Sequence, residues 1–229
     1  MVEEVEGVDE IFAPHVFGGG TASGPFRSMA AVLASAAATG APSPLPVSHL
    51  HIVSGLGKLG LAGLKIGALW SRSDAEVLPR ARELSRFSQI STTTQVAVAS
   101  MLADDGFVTS LLATNRARLA AAHGVAVAAL KAEGIPVVRA DAGMTVLLDL
   151  SAALPSVLTT TTGARGARVQ RPVVVDEWAA EEQLRTDIQR HARVFLATGG
   201  AFHTPRAGLL RLTFADDAGR LEVAARRLG

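Results

Sequence analysis

The chain has 229 residues with 22 basic and 21 acidic side chains, which gives a formal net charge of +1. Hydrophobic residues make up 48% of it and charged residues 19%, so the chain can bury a core and wholesale disorder is excluded. The balanced charge and the low aromatic content of 4% argue against a nucleic-acid partner, and the absence of cysteine excludes disulfides and thiolate chemistry.

The start of the sequence shows no secretory signal, because the stretch MVEEVEGVDE is acidic and lacks an apolar segment. The longest apolar stretch, LGLAGLKIGALW, is too short to cross a bilayer and contains Lys65. We therefore expect a cytoplasmic protein without a membrane partner.

The first third of the chain predicts one helix and two strands. Residues 1–8 place valines among glutamates in a pattern that fits neither a strand nor a helix. The alanine-rich stretch 26–40 predicts a helix that ends at Gly40. The stretches 46–54 and 65–71 predict strands.

The middle of the chain is predicted to be helical as far as Gly134. Ser73 and Glu76 have the spacing of a capping box. The leucines, valines and alanines that follow have helical spacing, with breaks expected near Pro79 and at residues 88–94. A boundary between domains is expected inside this helical segment.

The last part of the chain predicts both strands and helices. Its five segments are a strand region with a bend at Gly143, a low-complexity mobile loop, a helix, a strand and a terminal helix. In that order they cover residues 136–150, 157–172, 178–198, 208–214 and the residues from Asp217 onward. The chain therefore predicts a mixed α/β fold.

The stretch LHIVSGLGKLGLAG, residues 50–63, allows two interpretations. Gly55, Gly57 and Gly60 have the spacing of a dinucleotide-binding turn, which requires a regular helix directly after it. The many glycines and the short distance to the next predicted strand disfavour such a helix. In the second interpretation, the small neighbours give a cofactor room to approach the amine of Lys58.

The segment HIVSGLGKLGLAGLKIGALWSRSD resembles the lysine segment of the class I and II aminotransferases, and it is most similar to the branch of the aminocyclopropanecarboxylate (ACC) synthases. Four further stretches resemble the same family in the same order. They are VDEIFAPHVFG, SQISTTTQVAVASMLADDGFV, GIPVVRADAGMTVLLDLSAAL and GGAFHTPRAGLLRLTFAD. The resemblance covers most of the chain.

This resemblance implies an α/β fold, namely the C-terminal half of a fold-type-I pyridoxal-phosphate-dependent transferase. Residues 1–75 would be a remnant of the cofactor-binding large domain, with a partial sheet. Residues 76–133 would be a helical segment that links the two domains, and residues 134–229 would be the α+β small domain.

The resemblance also assigns three chemical roles. Lys58 matches the lysine that binds pyridoxal phosphate covalently and then moves the α-proton of the substrate. Asp9 matches the aspartate that keeps the pyridine nitrogen protonated, and Arg211 matches the arginine that binds the substrate carboxylate through two parallel hydrogen bonds.

Four other positions of the cofactor site depart from the family pattern. Phe12 stands where the family has a tyrosine, and a phenylalanine has no hydroxyl donor. Gly55 and Gly57 replace small hydroxyl residues, and Lys65 replaces an arginine that binds the phosphate. The chain has no tyrosine that could substitute at Phe12.

The resemblance implies an amino-acid substrate, which is S-adenosylmethionine in the synthase branch, and either a homodimer or a heterodimer with a full-length relative. Since only half of the family pattern matches, we expect the chain to be weakly active or inactive by itself. The alternative is a non-catalytic fragment or pseudoenzyme that pairs with full-length relatives. A dinucleotide-binding module is a remote alternative.

The histidines add little to these interpretations. His49 and His51 lie on one face of a predicted strand, but the sequence near them supplies no third ligand, so packing is favoured over a metal site. His203 lies near the segment of Arg211 and is expected to line the pocket.

Overall fold

The computed structural model describes residues 6–17, 26–42, 50–71, 77–155, 157–162, 168–173 and 176–229. The chain divides into two compact units, Met1–Ala117 and Arg118–Gly229. The point of division lies in the long helix of the middle segment. The finer division into three parts stays a prediction.

The first unit contains a three-stranded sheet in the order β1-β2-β3. Its strands are β1 (Glu6–Asp9), β2 (Leu50–Gly55) and β3 (Gly67–Ser71). The strand β1 runs parallel to β2, and β3 runs antiparallel to β2. The two strands predicted in this region are confirmed, but β1 contradicts the prediction that residues 1–8 form no strand. The strand β1 is stabilised by pairing with β2, which lies more than 40 residues away in the sequence. A local sequence pattern carries no information about such a distant partner.

The helix α1 (Met29–Thr39) confirms the alanine-rich helix. Ser28 caps its N-terminus by accepting a hydrogen bond from a backbone amide of the first turn. Gly40 ends it in the left-handed conformation with φ 67°. Leu33 of α1 is buried against apolar residues of β2, and this contact holds the helix against the sheet.

The helix α2 (Val77–Ser85) contradicts the break predicted near Pro79. Pro79 lies in the first turn of the helix, where a missing backbone N–H costs no intrahelical hydrogen bond. The predicted capping pair, Ser73 and Glu76, lies outside the described residues.

The helices α3 (Thr92–Leu102) and α4 (Asp105–Ala132) complete the middle segment. The break predicted between α2 and α3 is confirmed, and so is the end of the helical segment at Gly134, which has φ 73°. In the part of the chain that the structure describes, no single helix meets the length and hydropathy expected of a membrane span. Among the described helices, α3 and α4 taken together meet them, although the pair is bent by 84°.

The described residues of the second unit contain four strands and two further helices. They are β4 (Thr145–Asp149), β5 (Val157–Thr162), β6 (Arg168–Val173), β7 (Leu209–Thr213), α5 (Glu177–Asp187) and α6 (Ala218–Leu228). The strand β4 pairs antiparallel with β7, and β5 pairs antiparallel with β6. Leu148, Leu210 and Phe214 are fully buried and form the centre of this unit's core.

Two predictions for the second unit are wrong. In the stretch expected to be a loop, residues 157–172, the described residues belong to the paired strands β5 and β6, because the β propensity of the valines and threonines outweighs the low complexity. The helix expected over residues 178–198 is regular only to Asp187 and ends in a π turn at Ala192. Val194 and Leu196 are buried and alternate with exposed neighbours, so this part is extended.

The carboxylate of Asp149 ties the end of β4 to the segment before β7. It accepts hydrogen bonds from Arg206 Nη1 at 3.3 Å and from Ser151 Oγ at 2.6 Å. The Arg206 guanidinium, helped by Ser151, lowers the pKa of Asp149 from 3.8 to about 2.

This lowered pKa predicts a dependence of stability on pH. The contribution of Asp149 is fully present above about pH 4 and is lost as the pH falls towards 2. The Tm difference between wild type and Asp149→Asn should therefore be largest at neutral pH and shrink between pH 4 and pH 2. A constant difference across that range in thermal unfolding scans contradicts this account.

Candidate functional site

Lys58 lies at the carboxyl end of β2, in a single 3-10 turn formed by Gly57–Leu59. Its side chain is half-buried. The turn is closed against the start of β3 by a hydrogen bond from the Leu56 amide to the carbonyl of Ile66, at 3.1 Å. The lysine therefore lies just beyond the carboxyl end of the central strand, and ligands of α/β proteins commonly bind at the carboxyl ends of strands.

The segment after Gly60 excludes the dinucleotide interpretation. It forms a second short 3-10 turn, Ala62–Leu64, and then enters β3, which returns antiparallel to β2. A dinucleotide site needs a regular helix whose N-terminus faces the pyrophosphate, and this segment contains none.

The aromatic ring of Phe12 lies beside the lysine. Lys58 Nζ is 5.2 Å from the centroid of the Phe12 ring, within the range of a cation–π interaction. The edge of His15 contacts the same ring, with centroids 5.8 Å apart. His15 Nε2 also donates a hydrogen bond to the Lys58 carbonyl at 2.6 Å. His15 is a residue that sequence reasoning missed, because no motif marks a contact between residues 43 positions apart.

Asp9 ends β1, next to the strand that leads to Lys58. Because β1 and β2 are parallel, their carboxyl ends meet at the same edge of the sheet. Asp9 is exposed, and its Oδ1 accepts a hydrogen bond from the Ile11 amide at 2.9 Å. Its Oδ2 has no hydrogen-bond partner among the described residues, so this oxygen is available to a ligand.

The two glycines before Lys58 have different surroundings. A Cβ at Gly55 would lie 3.0 Å from the carbonyl oxygen of Ile66, so the close approach of β2 and β3 already explains this glycine. A Cβ at Gly57 would meet nothing closer than Ala62 Cα at 3.9 Å. A small side chain at Gly57 would therefore meet only an ordinary contact, so packing does not explain this glycine.

Lys65 is exposed and has a left-handed backbone, with φ 52°. It lines a cavity of about 620 Å³ together with polar residues of the α2–α3 region, including Ser85, Ser88 and Gln95. Polar side chains beside an ammonium group suit an anion, but the compact charge of lysine lacks the two-point geometry of arginine.

Arg211 belongs to the second unit, in β7. Its backbone exchanges two hydrogen bonds with Ala197, at 2.8 and 3.0 Å, which fixes the strand on both sides. Its guanidinium carbon lies 3.5 Å from the centroid of the Phe202 ring. The side chain is half-buried and has no acidic partner among the described residues, so its donors can serve a carboxylate ligand.

The histidines considered for other roles lie elsewhere. His203 is exposed and lines a cavity of about 470 Å³ with Trp178 and Glu181. His51 is buried in β2, and His49 lies outside the described residues. Within the described ranges, no group of three or more metal-ligating side chains is present.

The chain is similar to known proteins in both sequence and fold. A family model described as aminotransferase class I and II matches residues 8–228. Among curated proteins, 1-aminocyclopropane-1-carboxylate synthase 4 of Oryza sativa subsp. japonica is 33% identical over 182 residues, which are 79% of this chain and 34% of that protein. Synthase 6 of Arabidopsis thaliana is 32% identical over 181 residues, which are 78% of this chain and 32% of that protein.

Solved structures of aminotransferases share the fold. An aromatic aminotransferase from Pyrococcus horikoshii superposes with a TM-score of 0.71 at 16% identity, over 97% of this chain and 49% of that chain. Aspartate aminotransferase from Thermus thermophilus with maleate gives 0.68 at 21% identity, over 97% and 47%.

The chain thus spans about half the length of these solved structures and about a third of the curated relatives. The matched residues include both units and every predicted site residue. The α/β fold is that of part of a fold-type-I transferase. The chain belongs to the aminotransferase class I and II family.

Proposed function

We propose that the chain is part of a pyridoxal-phosphate-dependent enzyme that acts on an amino acid, by amino-group transfer or by ring closure of the ACC synthase type. One observation carries the proposal. A half-buried lysine lies in a glycine-flanked turn at the carboxyl end of β2, next to the parallel strand that ends at Asp9.

The described residues fit pyridoxal phosphate in part. Lys58 supplies a primary amine, Gly57 adds no side chain beside it, and Asp9 Oδ2 is free to bind a ring nitrogen. Phe12 supplies an apolar face but no hydroxyl donor. Lys65 can bind a phosphate through a single positive charge. It lacks the two-point hydrogen bonding by which an arginine would bind the phosphate more tightly.

When bound, pyridoxal phosphate supplies an electron sink for negative charge that develops at the α-carbon of an amino acid. Lys58 Nζ is the group that would hold the α-proton once the amine is free. Asp9 would hold a proton at the ring nitrogen through its unoccupied oxygen. Phe12, beside Nζ, would keep water from one side of the amine.

Arg211 is proposed to bind the carboxylate of the amino acid. Phe202 stacks on the guanidinium and so restricts the plane of its donors. Replacing Arg211 by lysine should raise the half-saturating amino-acid concentration about tenfold, because one of two charge-assisted hydrogen bonds is lost. Absorbance titration of the protein loaded with pyridoxal phosphate measures this concentration.

The matched control for this substitution is Arg220→Lys, since Arg220 of α6 is exposed and pairs with Asp216, which lies just before the helix. Its half-saturating concentration should equal that of wild type. Equal values for Arg211→Lys and Arg220→Lys would remove Arg211 from the proposed site.

The rival function is that of a pseudoenzyme which binds the cofactor weakly and performs no turnover. Phe12 and Lys65 favour this alternative, since both lack hydrogen bonds that the family pattern would supply. The test is to incubate the purified chain with pyridoxal phosphate and either an amino acid plus a 2-oxo acid, or S-adenosylmethionine. Transfer of the amino group or formation of aminocyclopropanecarboxylate supports the enzyme, and binding without product supports the pseudoenzyme.

The proposed partner is a second copy of this chain or a full-length relative. Val53, Leu69 and Trp70 of the three-stranded sheet are each more than a third exposed, and such apolar side chains are expected at subunit contacts. Light scattering on the purified chain, with and without a full-length relative, measures the mass that decides between them.

A further inference from the structure

The imidazole of His15 forms a hydrogen bond with the main chain of Lys58. The side chain is 1% exposed, and its Nε2 lies 2.6 Å from the Lys58 carbonyl oxygen. Since a carbonyl oxygen only accepts, Nε2 is the donor. Its other nitrogen, Nδ1, is buried and has no hydrogen-bond partner among the described residues. Burial of an imidazole costs free energy, and the contact with Lys58 offsets part of this cost.

The same imidazole supports the aromatic ring below the amine. It meets Phe12 edge-on, at an interplanar angle of 66°, and the Phe12 ring lies 5.2 Å from Lys58 Nζ. One histidine therefore contacts both the main chain of the lysine and the ring beside its tip. A lysine side chain loses considerable rotamer entropy when it is held in one place, so fixing it before a ligand arrives makes binding more favourable.

The position of His15 is itself well determined. It ends a 3-10 turn, Ala13–His15, whose amides bond back to the carbonyls of Glu10 and Phe12 at 3.0 and 2.9 Å. This turn begins four residues after Asp9, so one short segment carries Asp9, Phe12 and His15. Arg116 Nε donates to the carbonyl of Pro14 at 3.0 Å and holds the turn from outside.

We propose that His15 is a positioning residue, which fixes the backbone of Lys58 and the ring of Phe12 so that the amine is oriented before the cofactor binds. The effect of His15 on cofactor binding depends on the proposed function, whereas its effect on the orientation of Lys58 does not. Glutamine can place an amide donor where Nε2 lies, whereas asparagine is one methylene too short and phenylalanine has no donor.

The experiment compares the reactivity of individual lysines in the cofactor-free chain. Trace acetylation followed by peptide mass spectrometry gives the rate at Lys58 relative to Lys131, an exposed lysine of α4 that serves as internal reference. The ratio should rise about fivefold in His15→Phe and in His15→Asn, which corresponds to the loss of one hydrogen bond of about 1 kcal/mol. His15→Gln and the control His191→Gln, at an exposed site, should stay within about twofold of wild type.

The same variants are then treated with pyridoxal phosphate and borohydride. Labelling of Lys58 should fall about fivefold in His15→Phe and recover in His15→Gln. If wild type takes no label at Lys58, the proposed function fails, while the acetylation ratios still decide the role of His15.

Two results would overturn the proposal. One is an acetylation ratio for His15→Phe within twofold of wild type in protein whose circular dichroism and Tm show that it is folded. The other is a His15→Gln ratio that equals that of His15→Asn, which means that the donor plays no part. If His15→Phe does not fold, the glutamine and asparagine variants decide, because they carry the same amide group.

Discussion

Replacing Lys58 by arginine is expected to abolish covalent retention of pyridoxal phosphate. Arginine keeps the positive charge beside Phe12, but its guanidinium does not form the bond to an aldehyde that a primary amine forms. The visible absorbance that stays with the protein after gel filtration measures retention. In wild type it should be proportional to protein concentration, and in Lys58→Arg it should fall to the background.

The controls for this substitution are Lys65→Arg and Lys131→Arg, since the chain has only these two other lysines. Both are exposed. Lys131→Arg should retain as much cofactor as wild type, and Lys65→Arg should retain at least as much, because arginine binds phosphate better. Loss of retention in either control, with retention by Lys58→Arg, would locate the covalent link elsewhere.

Replacing Glu181 by alanine is expected to lower the free energy of unfolding by about 3 kcal/mol. Glu181 is 1% exposed, and its two oxygens accept hydrogen bonds from the amides of Gly200 and Gly208, at 3.0 and 2.7 Å. Its removal leaves both amides without their acceptor, one of them buried. Urea unfolding followed by circular dichroism measures the change.

The matched control is the adjacent Glu182→Ala. Glu182 pairs with Arg185 on the exposed side of α5, where ion pairs contribute little to stability. Equal midpoints for the two alanine variants would show that the Glu181 contacts are not important for stability. Gly208 directly precedes β7, so the loss of Glu181 is also expected to weaken the amino-acid binding proposed for Arg211.

The parts of the fold that were predictable from the sequence depend on local patterns. The end of α1 at Gly40 and the end of α4 at Gly134 involve residues close in sequence, and both were predicted correctly. Lys58 was identified from its glycine-rich surroundings and the family resemblance, and the structure gives it a half-buried position at the carboxyl end of the central strand.

Three features that the sequence did not reveal depend on distant contacts, unlike the mispredicted break at Pro79 and the mispredicted loop at residues 157–172. The strand β1 is ordered by β2, which lies more than 40 residues away. The extended stretch after Ala192 is fixed by burial of Val194 and Leu196 and by pairing with Arg211, although its sequence is compatible with a helix. His15 escaped notice for the same reason, because its partner Lys58 is 43 residues away.

The central claim is that Lys58 is the residue that receives pyridoxal phosphate, and the most direct measurement is to map the reduced adduct. The purified chain is incubated with pyridoxal phosphate, reduced with borohydride and digested, and the pyridoxyl group is located by mass spectrometry. The account predicts selective labelling of Lys58, with Lys65 and Lys131 labelled only at the level of an unfolded control. Equal labelling of the three lysines, or no labelling of a folded chain, would contradict it.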